Sequence, residues 1–355
     1  MYPRVLIDLN KFRNNIKVVK QKCHNKNIDI FGVSKVFCGD PVIASVYEEL
    51  GLRAIADSRV ENLRKLQHLP IQKVMLRIPM QSEIEDVVKY SDISLNSEIS
   101  TLELISKEAV KQGKRHDVIL MVDLGDLREG FYNEKELYTA VQKTLLLDGV
   151  NVLGIGTNLT CYGAIIPKRS HMTKLLEIKH KIENRFNIQL EYVSGGNSSS
   201  YYLVENDDLP TEINNLRIGE LFVCGKETAF GNKVTGAFDD VFVLEAEIIE
   251  LKNKPSLPIG ESGVDAFGDK PVHIDKGNMA RAICAIGVQD VRMDGLVPFD
   301  DNMEVLGCSS DHMIVDVTKS EHNYKVGETI QFKLKYGGIL SVMTSEYVKK
   351  VYIHS

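Results

Sequence analysis

Lys35 stands in the stretch DIFGVSKVFCGD, residues 29–40, directly after a short apolar run that reads as a buried strand and a few residues before a Gly-Asp-Pro helix start. A long cation in that place is either a stem that snorkels its charge to solvent or an amine held for chemistry at the rim of a sheet or barrel. The segment YVSGGNSSS, 192–200, brings two glycines and a run of small polar side chains. Such a loop exposes backbone N–H groups and hydroxyls, which suits a phosphate dianion, although Gly-Ser loops are commonly turns and nothing more. Together with the rim lysine and Arg217 in the apolar run LRIGELF, it suggests a phosphorylated aldehyde cofactor. Pyridoxal phosphate joins a lysine as a Schiff base and acts as an electron sink for a carbanion.

These residues need elements to hold them. From Asp8 to about residue 225 short apolar runs alternate with helical patterns, the signature of βα units around a parallel sheet. Eight strands are predicted: IDIFGV (28–33), RAIA (53–56), KVMLRIP (73–79), DISLN (92–96), VILMVDL (118–124), VNVLGIGTN (150–158), LEYVS (190–194) and LRIGELF (216–222). Amphipathic segments lie between them, as with Phe12, Ile16 and Val19, or PVIASVYEEL with Asp40 as cap, Pro41 at its first position and Gly51 as its stop. Eight parallel strands over roughly 200 residues predict a (β/α)8 TIM barrel, whose active site lies at the carboxyl ends of the strands. Lys35, Arg128, Asn158, Asn197 and Arg217 all fall at that rim.

After about residue 225 the texture changes. VFVLEAEIIEL, ARAICAIGVQ, HMIVDVT and ETIQFKLKY are alternating or β-branched runs without helices between them, which predicts a C-terminal all-β domain. The Gly-rich, polar stretch GKETAFGNKVTG marks the change, so the expected division is a barrel domain over 1–230 and a β domain over 231–355. A chain of 355 residues with 43% hydrophobic content suits one large and one smaller domain. The net charge of −6 leaves no basic excess to neutralise phosphates and argues against a nucleic-acid partner. MYPRVLIDLN has no apolar signal core and no apolar run is long enough for a membrane span, so a cytoplasmic protein is expected. The six cysteines show neither a CxxC pair nor metal-ligand spacing; reduced, mostly buried thiols and no metal are expected.

The motifs IDLNKFRNNI, the Ser-Lys that ends the first strand, VDLGDLREGF, NLTCYGAIIP, VSGGNSSS, LRIG, PSLPIGESGVDAFG, SSDHMIVDV and TSEYV resemble the fold-type III pyridoxal phosphate enzymes of the alanine racemase family, over essentially the whole chain. Within that family the resemblance is to the branch acting on ornithine. It implies that Lys35 carries the Schiff base and moves one of the two protons, and that Arg128 lies near the cofactor hydroxyl and the substrate carboxylate. It implies further that Asn158 stands in place of the histidine beside the cofactor ring, that Asn197 belongs to the cofactor site, and that Arg217 faces the pyridine nitrogen. Ser198, the Gly219–Glu220 backbone and Tyr347 would hold the phosphate. An arginine at position 217 leaves that nitrogen unprotonated, which suits racemisation, whereas related decarboxylases carry an acid there.

The pattern also breaks. Racemisation needs an acid or base on each face of the planar carbanion. The family tyrosine that serves the second face, contributed by the partner subunit, becomes Val288 in AIGVQDV, and the lysine before VD becomes Met121. The resemblance places the replacement in GCSSDHM, 307–313, where related basic-amino-acid decarboxylases carry a cysteine and then an aspartate across the dimer interface. In register Ser310 takes the cysteine position and Asp311 the aspartate position; Cys308, Ser309 and His312 remain contenders, and turn chemistry alone also accounts for the serines. Asp311, together with His312, would receive the distal amine of the substrate. The expectation is a homodimer with shared active sites that racemises ornithine or a similar dibasic amino acid. Alternatives are alanine or lysine racemisation, decarboxylation on the same fold, and noncatalytic carriage of pyridoxal phosphate.

Overall fold

The computed structural model describes residues 1–264, 268, 270, 272 and 274–354. Part of PSLPIGESGVDAFG, at positions 265–267, lies outside the described residues. The chain divides into two compact units, Lys11–Asp239 and a second one formed by Met1–Asn10 with Asp240–Ser355.

The first unit is a closed barrel of eight parallel strands: β2 (Asp29–Val33), β3 (Ala54–Asp57), β4 (Gln72–Met75), β5 (Ile93–Asn96), β6 (His116–Val122), β7 (Val150–Thr157), β8 (Tyr192–Ser194) and β9 (Asn215–Ile218). Alternate residues point inward along each strand, so Phe31, Ala54, Ala56, Val74, Ile93, Leu95, Ile119, Met121, Leu153 and Tyr192 fill the interior as one apolar cluster. Met121, at the position where the family lysine was expected, is therefore core. The helix Pro41–Glu49 starts as the sequence dictates: the Asp40 carboxylate accepts the N–H groups of Val42 and Ile43 at 3.0 and 3.1 Å. It stops before Gly51, at φ +60°.

Two predicted strands are corrected. KVMLRIP keeps its strand only to Met75, and LRIGELF only to Ile218, after which Gly219 leads into the short helix Glu220–Cys224. A short run buried on both sides has no period by which strand and helix can be told apart. Gly219 is needed there: a Cβ on it would come within 2.8 Å of the Val33 Cβ at the end of β2. The stretch GKETAFGNKVTG is a built turn, in which the buried Glu227 carboxylate accepts N–H groups from Ala229, Phe230 and Asn232.

The second unit is a sheet in the order β12 (Leu296–Pro298), β15 (Thr329–Leu334), β10 (Phe242–Pro255), β11 (Asn278–Cys284), β14 (Met313–Asp316) and β13 (Glu304–Cys308). β1 (Arg4–Asp8), which sequence analysis did not identify, pairs antiparallel with β10 and parallel with β16 (Lys349–Ile353). The domain expected to be all-β also contains a helix, Tyr336–Thr344, whose buried residues include Ile339 and Val342. No helix among the described residues is long and apolar enough to cross a membrane.

Candidate active site

Lys35 begins a single 3₁₀ turn at the carboxyl end of β2 and is partly buried. The turn is held from below. Ser34 is fully buried and donates its hydroxyl to the equally buried Asp57 carboxylate at 2.6 Å, at the end of β3. The same carboxylate accepts Arg59 N–H at 2.9 Å and Asn62 Nδ2 at 3.1 Å, while Tyr47 donates its hydroxyl to the Val33 carbonyl at 3.0 Å. Burial nonetheless pushes the Asp57 pKa up, against these hydrogen bonds. The residue before Lys35 is thus locked on its backbone and on its side chain.

β9 is the neighbour of β2, with Phe31 opposite Arg217. The Arg217 guanidinium is 4% exposed and donates to Ser194 Oγ at 2.5 Å, to the Thr157 carbonyl at 2.7 Å and to Asn158 Oδ1 at 3.5 Å. Those partners are all neutral. Burial lowers its pKa to about 10, which leaves it charged at neutral pH. Asn197 completes the cluster by donating Nδ2 to Asn158 Oδ1 and to the Leu159 carbonyl, both at 3.0 Å. Ser198 is buried, and its hydroxyl oxygen accepts the N–H groups of Gly219 and Leu221 at 3.4 and 3.3 Å. Asn158, Asn197, Ser198, Arg217 and Gly219 are therefore brought together by hydrogen bonds between residues up to 59 positions apart.

Three buried polar atoms in this region, Asn158 Nδ2, Thr157 Oγ1 and Ser199 Oγ, have no hydrogen-bond partner among the described residues. Unpaired buried donors are costly, and a bound polar molecule would satisfy them. Donors of this kind beside a charged arginine suit an anion rich in acceptors, so the residues fit a phosphorylated pyridine cofactor.

Glu220 follows Gly219 and is partly buried. Burial pushes its carboxyl up to about 7, with Lys35 pulling the other way. A carboxyl whose folded-state pKa is raised stabilises the fold below its ordinary pKa of about 4.5 and loses that contribution as pH rises through about 7. Glu220→Gln should therefore raise the melting temperature at pH 8 relative to the unsubstituted protein, with a gain that shrinks towards pH 5. Equal gains at both pH values would show that Glu220 does not titrate in this range.

Arg128 is exposed, on the loop after β6, and its guanidinium lies side-on against the Glu129 carboxylate: Nε donates to Oε2, and Nη2 donates to Oε1 at 2.6 Å. Burial works against the Arg128 charge, but the Glu129 hydrogen bonds and charge hold its pKa above the ordinary value. Glu129 and Cys161 also act electrostatically on Arg217. Sequence analysis gave neither a part in the site. Of the thiols, expected to be mostly buried, Cys161 is exposed, and Asn197 Nδ2 reaches its sulfur at 3.4 Å. Cys38 and Cys308 are half-buried, and Cys23, Cys224 and Cys284 are buried.

The remaining candidates lie in the β unit. Tyr347 is exposed, in the turn after the helix Tyr336–Thr344. Val288 donates its N–H to the Ser309 carbonyl at 3.0 Å and Gln289 to the Ser310 carbonyl at 3.1 Å. The place that lost the family tyrosine thus lies against the loop expected to replace it. Gly287 permits this approach, since a Cβ there would meet the Ser310 carbonyl carbon at 2.3 Å. Asp311 and His312 are exposed and joined at 2.7 Å between Oδ1 and Nδ1. Burial pushes the Cys308 thiol up to about 11, so it stays protonated at neutral pH.

A family model described as the alanine racemase N-terminal domain matches residues 7–226. This chain belongs to the alanine racemase family. Among members of that family it is similar to the ornithine racemase of Acetoanaerobium sticklandii, with 49% identity over 99% of each chain. It is 39% identical to the lysine racemase of Thermotoga maritima, again over 99% of each. The alanine racemase fold is seen in the Bartonella henselae alanine racemase with covalently bound pyridoxal phosphate, which superimposes with a TM-score of 0.75 at 18% identity, covering 99% of this chain and 100% of that one.

Proposed function

We propose that this protein is a pyridoxal phosphate-dependent racemase that interconverts L- and D-ornithine, or a similar dibasic amino acid, as a cytoplasmic homodimer. The observation that carries the reading is the buried Arg217, which has only neutral hydrogen-bond partners and stands on the strand beside the one leading to Lys35. The similarity to ornithine and lysine racemases over nearly the full chain supports the dibasic substrate.

When bound, pyridoxal phosphate supplies an aldehyde for a lysine amine and an electron sink for the α-carbanion. Lys35 would provide the amine and move the α-proton on one face of the substrate. Arg217 would lie toward the pyridine nitrogen and, keeping its own proton, would leave that nitrogen unprotonated, which would limit the electron sink and suit racemisation. Ser198 with the amides around Gly219 and Glu220, joined by Tyr347, would bind the phosphate, and Asn158 and Asn197 would orient the ring. Arg128 would bind the substrate carboxylate. For the second face, Ser310, Ser309, Cys308 or His312 of a partner copy would exchange the proton.

The test is chiral chromatography after incubating the purified protein with pyridoxal phosphate and single L-amino acids. Ornithine should approach a racemic mixture fastest, lysine more slowly and alanine slowest. Faster conversion of lysine or alanine would reassign the substrate, and release of carbon dioxide with a diamine product would mean a decarboxylase. Binding of the cofactor without turnover of any amino acid would mean a carrier.

A further inference from the structure

The Arg128–Glu129 pair joins two consecutive residues at the tip of a loop that is itself firmly built. Phe131 donates its N–H to the Met121 carbonyl at 2.8 Å and Asp123 to the Phe131 carbonyl at 3.1 Å, closing the loop onto the end of β6. Asp123 Oδ1 accepts the N–H groups of Gly125 and Leu127 at 2.8 and 3.1 Å inside it. Gly130 sits at φ +126°, where a Cβ would meet Asp123 N at 2.5 Å. Asp126 is 1% exposed and accepts N–H groups from Tyr162 and Gly163, both at 3.1 Å, which ties this loop to the one carrying Cys161. The backbone under Arg128 is thereby fixed, but a long exposed side chain still has many rotamers to choose from.

Glu129 removes that choice. A guanidinium has five N–H donors on a rigid plane. The side-on pair engages Nε and one hydrogen of Nη2, and among the described residues Arg128 has no other hydrogen-bond acceptor. Nη1 and the second hydrogen of Nη2 form the opposite edge, whose spacing matches a second carboxylate. Glu129 also offsets the repulsion that Arg128 exerts on the buried Arg217.

We propose that Glu129 is the positioning residue of Arg128, holding its Nε–Nη2 edge so that the Nη1–Nη2 edge meets the α-carboxylate of the amino-acid substrate. This rests on the proposed function, in which Arg128 binds that carboxylate. The test uses the holoenzyme in five forms: unsubstituted, Glu129→Gln, Glu129→Asp, Arg128→Lys and the double variant Arg128→Lys/Glu129→Gln. Two readouts are taken, KM and kcat for ornithine, and the dissociation constant of acetate, an unreactive carboxylate, followed through the visible absorption of the cofactor.

Glu129→Gln should keep the cofactor band, weaken acetate and raise KM by about tenfold, and lower kcat by much less. Glu129→Asp should recover part of the loss, and the double variant should bind acetate no more weakly than Arg128→Lys alone, because Glu129 acts through Arg128. An unchanged acetate constant in Glu129→Gln, or losses that multiply in the double variant, would overturn the proposal while the functional reading stands. Absence of a cofactor band in the unsubstituted protein would overturn both.

Discussion

Lys35→Ala is expected to abolish racemisation, with a fall in kcat/KM on the order of 10⁴-fold, and to remove the visible band that borohydride reduction would otherwise fix to the peptide carrying residue 35. The magnitude follows from losing a positioned acid-base group, which alone contributes roughly 10²- to 10⁴-fold, together with the covalent anchor of the cofactor. The fold should survive. Lys35 is partly buried in a one-turn 3₁₀ segment, and the contacts that lock this segment belong to Ser34, Asp57 and Tyr47. The residues proposed to hold the phosphate and the ring, Ser198, Asn158 and Arg217, lie outside this segment, so the variant should still bind pyridoxal phosphate reversibly. A Lys35→Ala protein that forms the reduced adduct and racemises at the native rate would refute the assignment, and another lysine would have to carry it.

Asp311→Asn is expected to cut kcat/KM for ornithine by roughly ten- to a hundredfold while leaving slow alanine racemisation nearly unchanged. A charge-assisted pair taken out of water contributes about 1.5–3 kcal/mol, and about 1.4 kcal/mol corresponds to a factor of ten. Alanine has no distal ammonium to lose. In the isolated chain Asp311 is exposed and engaged by His312 at 2.7 Å, so the contact with substrate would be formed by a partner copy that covers it. Mixing Lys35→Ala and Asp311→Ala chains should then restore part of the activity, because one of the two sites of a mixed dimer draws both intact residues from different chains. Equal losses on ornithine and alanine would show that Asp311 supports site geometry and does not read the side chain. An unchanged ornithine rate would move the specificity residue, with Asp290 and Glu261 the next carboxylates to replace. Of these, Asp290 is 8% exposed and accepts the Ser345 hydroxyl at 2.6 Å, whereas Glu261 is exposed.

Much of the barrel was legible in the sequence because its signals are local. Apolar runs of four to eight residues, the Asp40 cap and the Gly51 stop are set by neighbours within one turn of chain, and they placed Lys35 at the end of the first barrel strand. Local signals failed where one run served two structures. In LRIGELF the apolar residues are buried throughout, and only the approach of Gly219 to Val33, far away in sequence, decides that β9 stops and a helix begins. The same holds for Arg4–Asp8, a short strand whose partners, β10 and β16, lie more than 200 residues later.

At the site the sequence by itself determined which side chains are available: a lysine after a strand, arginines at 128 and 217, a Gly-Ser loop and a carboxylate at 311. Tertiary structure alone decided their company. Arg217 meets Ser194, Thr157 and Asn158 because three barrel strands converge there, and the exposed Cys161 joins Asn197 across 36 residues. Glu129 could have been suspected as the neighbour of Arg128, but adjacency in sequence does not set rotamers, and the side-on geometry exists only because the loop is closed onto β6. Periodicity records which face a residue occupies, whereas the partners of a polar group depend on chain closure between distant segments, which no local pattern encodes.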